Sequence, residues 1–112
     1  MAKPSQRVYS PYAQEACQLL GGMIREARIG RRMTVGDLAD RSGTSRGLVG
    51  RVERGDMGCA IGAYFEMAAL LRIPLFGLEK EALSRHLMMT KGTLQLLPKS
   101  ARKASGVIND DF

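Results

Sequence analysis

At 112 residues and 12.2 kDa the chain holds one domain with a modest core plus extensions, and it is too short for two. A net charge of +6 and a pI near 9.8 favour a polyanionic partner, while no apolar run is long enough to span a bilayer. With three Phe, three Tyr and no Trp, the chain lacks the aromatic stripe on which unpaired bases stack, which argues against a single-stranded nucleic-acid binder.

Residues 1–9, with Lys3, Pro4, Ser5 and Arg7, have little to pack and are expected to form a flexible N-terminal arm. They lack the apolar segment of a signal peptide, so a cytoplasmic location is expected. Ser10 followed by Pro11 is an N-cap with proline in the first turn, and a long helix should begin there. Ala13, Ala16, Cys17, Leu20, Ile24 and Ala27 recur three and four apart and predict its core face. Gly21 and Gly22 interrupt that face, and close helix packing is the expected reason.

The stretch 34–55, TVGDLADRSGTSRGLVGRVERG, reads as two short helices joined by a tight glycine turn, a helix-turn-helix pattern. Thr34 is a good N-cap and Asp37, three residues on, can reach back to the free backbone donors, so the first helix should run to about Arg41 with Val35, Leu38 and Ala39 inward. Gly43 can take the left-handed conformation that turns the chain, and Thr44 or Ser45 can cap a second helix that runs to Arg54 before Gly55 ends it. On a wheel, Val49 and Val52 point one way, with Leu48 near the boundary, while Arg46, Gly47, Gly50, Arg51 and Arg54 share the other face. Arginine forks onto the two acceptors of a guanine edge or grips phosphate oxygens, so this is the face of a major-groove reader. Each glycine costs a helix interior up to ~1 kcal/mol relative to alanine, and Gly47 and Gly50 suggest that backbone must approach something closely there. Eight arginines lie between positions 25 and 54, set against Glu26, Asp37, Asp40 and Glu53.

After the loop DMGCA, Ile61, Tyr64, Phe65, Ala68 and Leu71 return to helical spacing and predict a helix that closes the core over the motif. The run from Arg72 through Ile73, Pro74, Leu75, Phe76, Gly77 and Leu78 breaks that helix and reads as a docking turn. A further helix is written over 79–97, where Leu83, Leu87, Thr90, Leu94 and Leu97 alternate four and three residues apart. That is seam spacing, and Met88 and Met89 add apolar surface, so this helix is the expected dimer interface. His86 has no neighbouring ligand at metal spacing, and Cys17 and Cys59 read as small apolar fillers on different elements. Pro98 stops the helix. The remaining segment, PKSARKASGVINDDF over 98–112, is expected to be a flexible tail in which Val107, Ile108 and Phe112 order on a partner.

The run SGTSRGLVGRVERG, with REAR before it, resembles the Cro/CI-like helix-turn-helix domain of the XRE family, whose second half commonly reads like GVSRSTISRIERG. The resemblance covers residues 10–78. It implies an all-α fold, a five-helix domain that binds operator DNA, here followed by the additional C-terminal helix and the tail. Carried over by position, the base-reading slots fall on Ser45, Arg46, Gly47 and Arg51, with Arg54 nearer the DNA backbone and Thr34, Thr44 and Gly50 at the same interface. The resemblance also places Arg28 at the end of the first helix against Glu53, a structural brace for the reader. One departure concerns position 35, where many members carry a glutamine that contacts phosphate and this chain has Val35.

The SPYAQEA opening, the IPLFG turn and the ending make the chain similar, more narrowly, to HipB-like antitoxins. That likeness implies a homodimer that represses its own operon at a palindromic operator on double-stranded DNA, and a HipA-like serine/threonine kinase toxin as partner. A protein-interaction module of the same shape, which neutralises a partner without binding DNA, is the alternative that Val35 and the two reader glycines permit. No Ser-His-Asp, Cys-His, paired-carboxylate or phosphate-cradling glycine constellation can be assembled, so no catalytic residue, metal or cofactor is expected.

Overall fold

The computed structural model describes residues 8–101 and is all-helical. The helices are α1 (Pro11–Gly30), α2 (Val35–Ser42), α3 (Arg46–Glu53), α4 (Ile61–Leu70) and α5 (Lys80–Leu96). Most of the arm expected over 1–9, and the tail from residue 102 on with Val107, Ile108 and Phe112, lie outside the described residues. The chain divides between Glu79 and Lys80 into two units. The first carries α1 to α4, one helix fewer than a five-helix domain, and the C-terminal helix is the fifth. The stretch 71–79 is a turn, as the break at Pro74 predicts. Arg72 and Phe76 both have left-handed φ, 59° and 56°, Pro74 lies between them, and an isolated bridge pairs Leu75 with Leu78.

Local chemistry sets each helix of the first unit. The Ser10 hydroxyl accepts from the Ala13 N–H at 3.2 Å, and Pro11, with no N–H to satisfy, starts α1. Thr34 caps α2 in a reciprocal box. Its hydroxyl accepts from the Asp37 N–H at 3.0 Å, and the Asp37 carboxylate accepts from the Thr34 N–H at 2.9 Å. Gly43 ends α2 in the left-handed conformation, φ 67°.

The core draws on all four helices: Ile24 from α1, Leu38 and Ala39 from α2, Val49 and Val52 from α3, and Tyr64, Met67, Ala68 and Leu71 from α4 and its end. Valine burial contributes about 1.5 to 3 kcal/mol per side chain, more than the ~1 kcal/mol that a helix-interior glycine costs. Packing therefore outweighs the two glycines in α3. Two expected core positions are corrected: Ala16 and Ile61 are exposed, whereas Met67, outside the expected stripe, is fully buried. On α1 the exposed Tyr12, Leu19 and Met23 make a second apolar stripe beside the buried one, and periodicity alone does not distinguish the two.

Gly21 shows why α1 breaks its apolar face. A Cβ there would collide with the Val52 carbonyl oxygen and sit 3.1 Å from both the Glu53 oxygen and the Gly55 nitrogen. Gly55 answers from the other side, with φ 78° and room for a Cβ only at 2.6 Å from the Gln18 Cα. Bare backbone on both elements lets the end of α3 lie directly on α1. Gly22 faces open space. The Tyr64 hydroxyl donates to the Asp56 carbonyl at 2.8 Å, and burial beside Cys17 and Cys59 holds it protonated well above the ordinary tyrosine range. Both cysteines are free thiols packed on the core and border the same ring, so they are less isolated than their spacing implies.

The second unit is described by one helix. No residue of α5 is buried: Leu87, Met88, Met89, Leu94 and Leu96 are exposed and Leu83 is half-buried. Among the described residues, no helix is long and apolar enough to cross a membrane.

Candidate nucleic-acid interface

The interface is built on α3. Ser45 is its N-cap, with a hydroxyl that accepts from the Leu48 N–H at 3.0 Å. Thr44 takes a different part. Its N–H donates to the Ala39 carbonyl at 2.9 Å and its hydroxyl pairs with Ser42 Oγ at 2.8 Å, so it closes the turn. Val49 and Val52 turn into the core, and that leaves Arg46, Gly47, Arg51 and Arg54 exposed, with Gly50 half-covered. Thr34 is exposed at the start of α2, although its hydroxyl is already used by the cap.

One ion pair fixes α3 from behind. Arg28 Nε donates to Glu53 Oε2 at 2.6 Å and Nη2 to Oε1 at 3.0 Å, while Nη1 donates to the Met33 carbonyl at 2.9 Å. This fork ties the last residue of α3 to α1 and to the connection that leads into α2. The pair is largely shielded, with side-chain exposures of 10% and 7%, and the hydrogen bonds to Glu53 raise the Arg28 pKa against the opposing effect of burial. Arg31 adds a further tie by donating to the Leu71 carbonyl at 2.7 Å, so α1 and α4 are joined where both end.

Two glycines are covered by arginines. A Cβ on Gly36 in α2 would meet Arg46 Nη2 at 2.8 Å, Nε at 3.0 Å and Cζ at 3.1 Å, and a Cβ on Gly50 would meet Arg54 Nη1 at 3.3 Å. Gly47 is different: its nearest neighbour is Ser45 Oγ at 3.8 Å, which leaves its backbone open. Of the two glycines expected to admit close backbone approach, Gly47 retains that space and Gly50 shares it with Arg54. The Asp37 carboxyl is held below the usual carboxylate range, first by the Thr34 hydrogen bonds and then by the charges of Arg41 and Arg46.

Sequence reasoning placed Arg28 opposite Glu53 only through the family resemblance, since the two are far apart in the chain. It missed Gly36. The signal available was a glycine in the first turn of a helix that needs no special φ there.

No protein-family model matches the chain. Over 86 residues, 76% of its length, the chain is 33% identical to the uncharacterized HTH-type transcriptional regulator RghRB of Bacillus subtilis (strain 168), and the match covers 55% of that protein. The chain thus spans about half the length of the curated relative it matches, and its similarity, like the α2–turn–α3 geometry, is to a helix-turn-helix regulator.

Proposed function

We propose that this chain binds double-stranded DNA with sequence specificity and regulates transcription, with α3 lying in the major groove. The observation that carries the reading is the exposed row of Arg46, Gly47, Arg51 and Arg54 on a short helix capped by Ser45 and pinned through Glu53 to Arg28. Fixed guanidinium groups beside bare backbone suit base edges and phosphates at close range. Similarity to a transcriptional regulator supports the same reading. Ser45, Arg46 and Arg51 are assigned to base edges, and Arg54, Thr34 and Thr44 to the flanking backbone contacts, with Gly47 and Gly50 admitting the groove wall.

A single domain reads too little of the groove for tight binding, whereas a two-fold dimer matches half-sites of a palindromic operator one helical turn apart. We assign that contact to Leu83, Leu87 and Leu94 of α5, a helix that buries none of its own residues, and to Leu97 just past its end. As a working role the protein is a repressor of its own operon and the antitoxin of a HipA-like kinase toxin, which the tail residues Val107, Ile108 and Phe112 would engage. That role rests on the sequence resemblance alone.

The test is a gel shift with the DNA upstream of the gene, repeated at rising salt. A retarded band that weakens steeply with salt is expected, because each neutralised phosphate releases counterions. No retardation even at low salt would leave the other reading standing, an interaction module that neutralises a partner without binding DNA.

A further inference from the structure

We propose that Gly36 is a positioning residue for DNA recognition: the missing side chain in the first turn of α2 forms the slot in which the Arg46 guanidinium lies, fixing this group before DNA arrives. The inference rests on the DNA-binding reading above and names a residue outside the recognition helix.

The case begins with what Gly36 does not do. Its φ is not left-handed, so no turn requires glycine there. No backbone of a neighbouring element occupies the Cβ position, in contrast to Gly21 and Gly55. Alanine is the better residue within a helix, so a glycine here has a local cost. What fills the space is the guanidinium of Arg46, with three of its atoms within 3.1 Å of the Cβ position. Gly50 and Arg54 repeat the arrangement more loosely, at 3.3 Å.

The group so held remains available. Arg46 is exposed and its guanidinium makes no hydrogen bond among the described residues, and the one ion pair among them joins Arg28 to Glu53. Asp37 lies near enough for the Arg46 charge to act on it, but Asp37 Oδ2 is already engaged by the Thr34 N–H. The Arg46 donors therefore stay free for the paired acceptors of a guanine edge or a phosphate. A free arginine loses rotamer freedom when it docks, and packing on α2 removes part of that loss beforehand. A side chain at position 36 would evict the guanidinium while the atoms it meets first are all at the far end of the Arg46 side chain.

A thermodynamic cycle on the full chain tests this, with wild type, Gly36→Ala, Arg46→Ala and the double variant measured for melting temperature and for affinity to the upstream duplex and a shuffled one. Gly36→Ala should melt at the wild-type temperature or above and bind the upstream duplex about fivefold more weakly, the lower end of the loss expected for one arginine contact. In the Arg46→Ala background the same change should have no effect. Wild-type affinity in Gly36→Ala, or an equal loss with and without Arg46, overturns the proposal, as does a lower melting temperature that accompanies the loss. A wild-type chain that binds neither duplex overturns the DNA-binding reading itself, a distinct result. Loss on the upstream duplex alone places the guanidinium on base edges, and equal loss on both places it on phosphates; either supports the slot.

Discussion

One of the two shortest helices among the described residues and the second longest are held in opposite ways. α3 has eight residues, two of them glycine, yet it has a side-chain cap, two fully buried valines, an ion pair at its last residue and a backbone contact with α1. α5 has 17 residues with none buried and a glycine at position 92. Isolated helices of about this length are marginal in water, so intrinsic propensity cannot account for the order of α3 and gives little reserve to α5. Anchoring, not length, decides which surface is rigid enough to read a groove.

The largest effect should come from removing the strongest anchor. Arg28→Ala leaves the Glu53 carboxylate shielded and without its fork, and breaking a buried pair in this way costs about 3 to 5 kcal/mol. A large fall in melting temperature and loss of binding to the upstream duplex are expected. Wild-type unfolding together with wild-type affinity would show that α3 does not depend on the brace.

Next comes the backbone contact, which two adjacent glycines isolate. Gly21→Ala pushes a methyl group into the Val52 carbonyl and should destabilise by about 1 to 3 kcal/mol, typical of overpacking against atoms that cannot move aside. Gly22→Ala meets nothing and should stabilise the helix by about 0.5 to 1 kcal/mol. Opposite signs in thermal unfolding are the expected result. Equal effects would mean that α1 and α3 are not locked at this point.

The same contrast explains what could be read in advance. The start of α1 at Ser10 and Pro11, the Thr34–Asp37 box and the Gly43 turn were legible because each depends on residues a few positions apart. Arg28 opposite Glu53 required the resemblance. Close packing at Gly21 was legible but its partner, the end of α3, was not, and neither was the slot at Gly36, since both depend on how helices meet in space. Ile61 was expected inside and Met67 was missed, because an almost wholly apolar helix such as α4 offers several faces at the same period. The break over 71–79 was legible from Pro74, whereas the left-handed φ at Arg72 and Phe76 was not, since neither residue type signals it.

A smaller loss is expected at the cap of α2. Thr34→Ala removes the acceptor for the Asp37 N–H and should cost about 1 kcal/mol. The accompanying pH dependence has a definite sign. Asp37 is held below its ordinary pKa, so its contribution is present above the usual carboxylate range and is lost as pH falls through the lowered value. The main-chain N–H of residue 34 survives in Thr34→Ala, so the titration is removed by Asp37→Asn instead: melting curves in acid should decline less for Asp37→Asn than for wild type, and parallel declines would remove the Asp37 charge from the box.

The smallest effect on the first unit should come from α5, although the proposed assembly should be lost altogether. Leu87→Asp places a charge on the proposed seam, and a desolvated carboxylate facing its symmetry mate has no partner to offset it. Leu87 is 48% exposed, so the change removes little burial within one chain. The variant should sediment as a monomer, keep the helix-turn-helix unfolding transition near wild type, and lose affinity for a palindromic duplex far more than for a half-site. A dimer that survives the substitution would move the interface off this face of α5. A monomer whose first unit also unfolds early would show that α3 and its anchors depend on assembly after all.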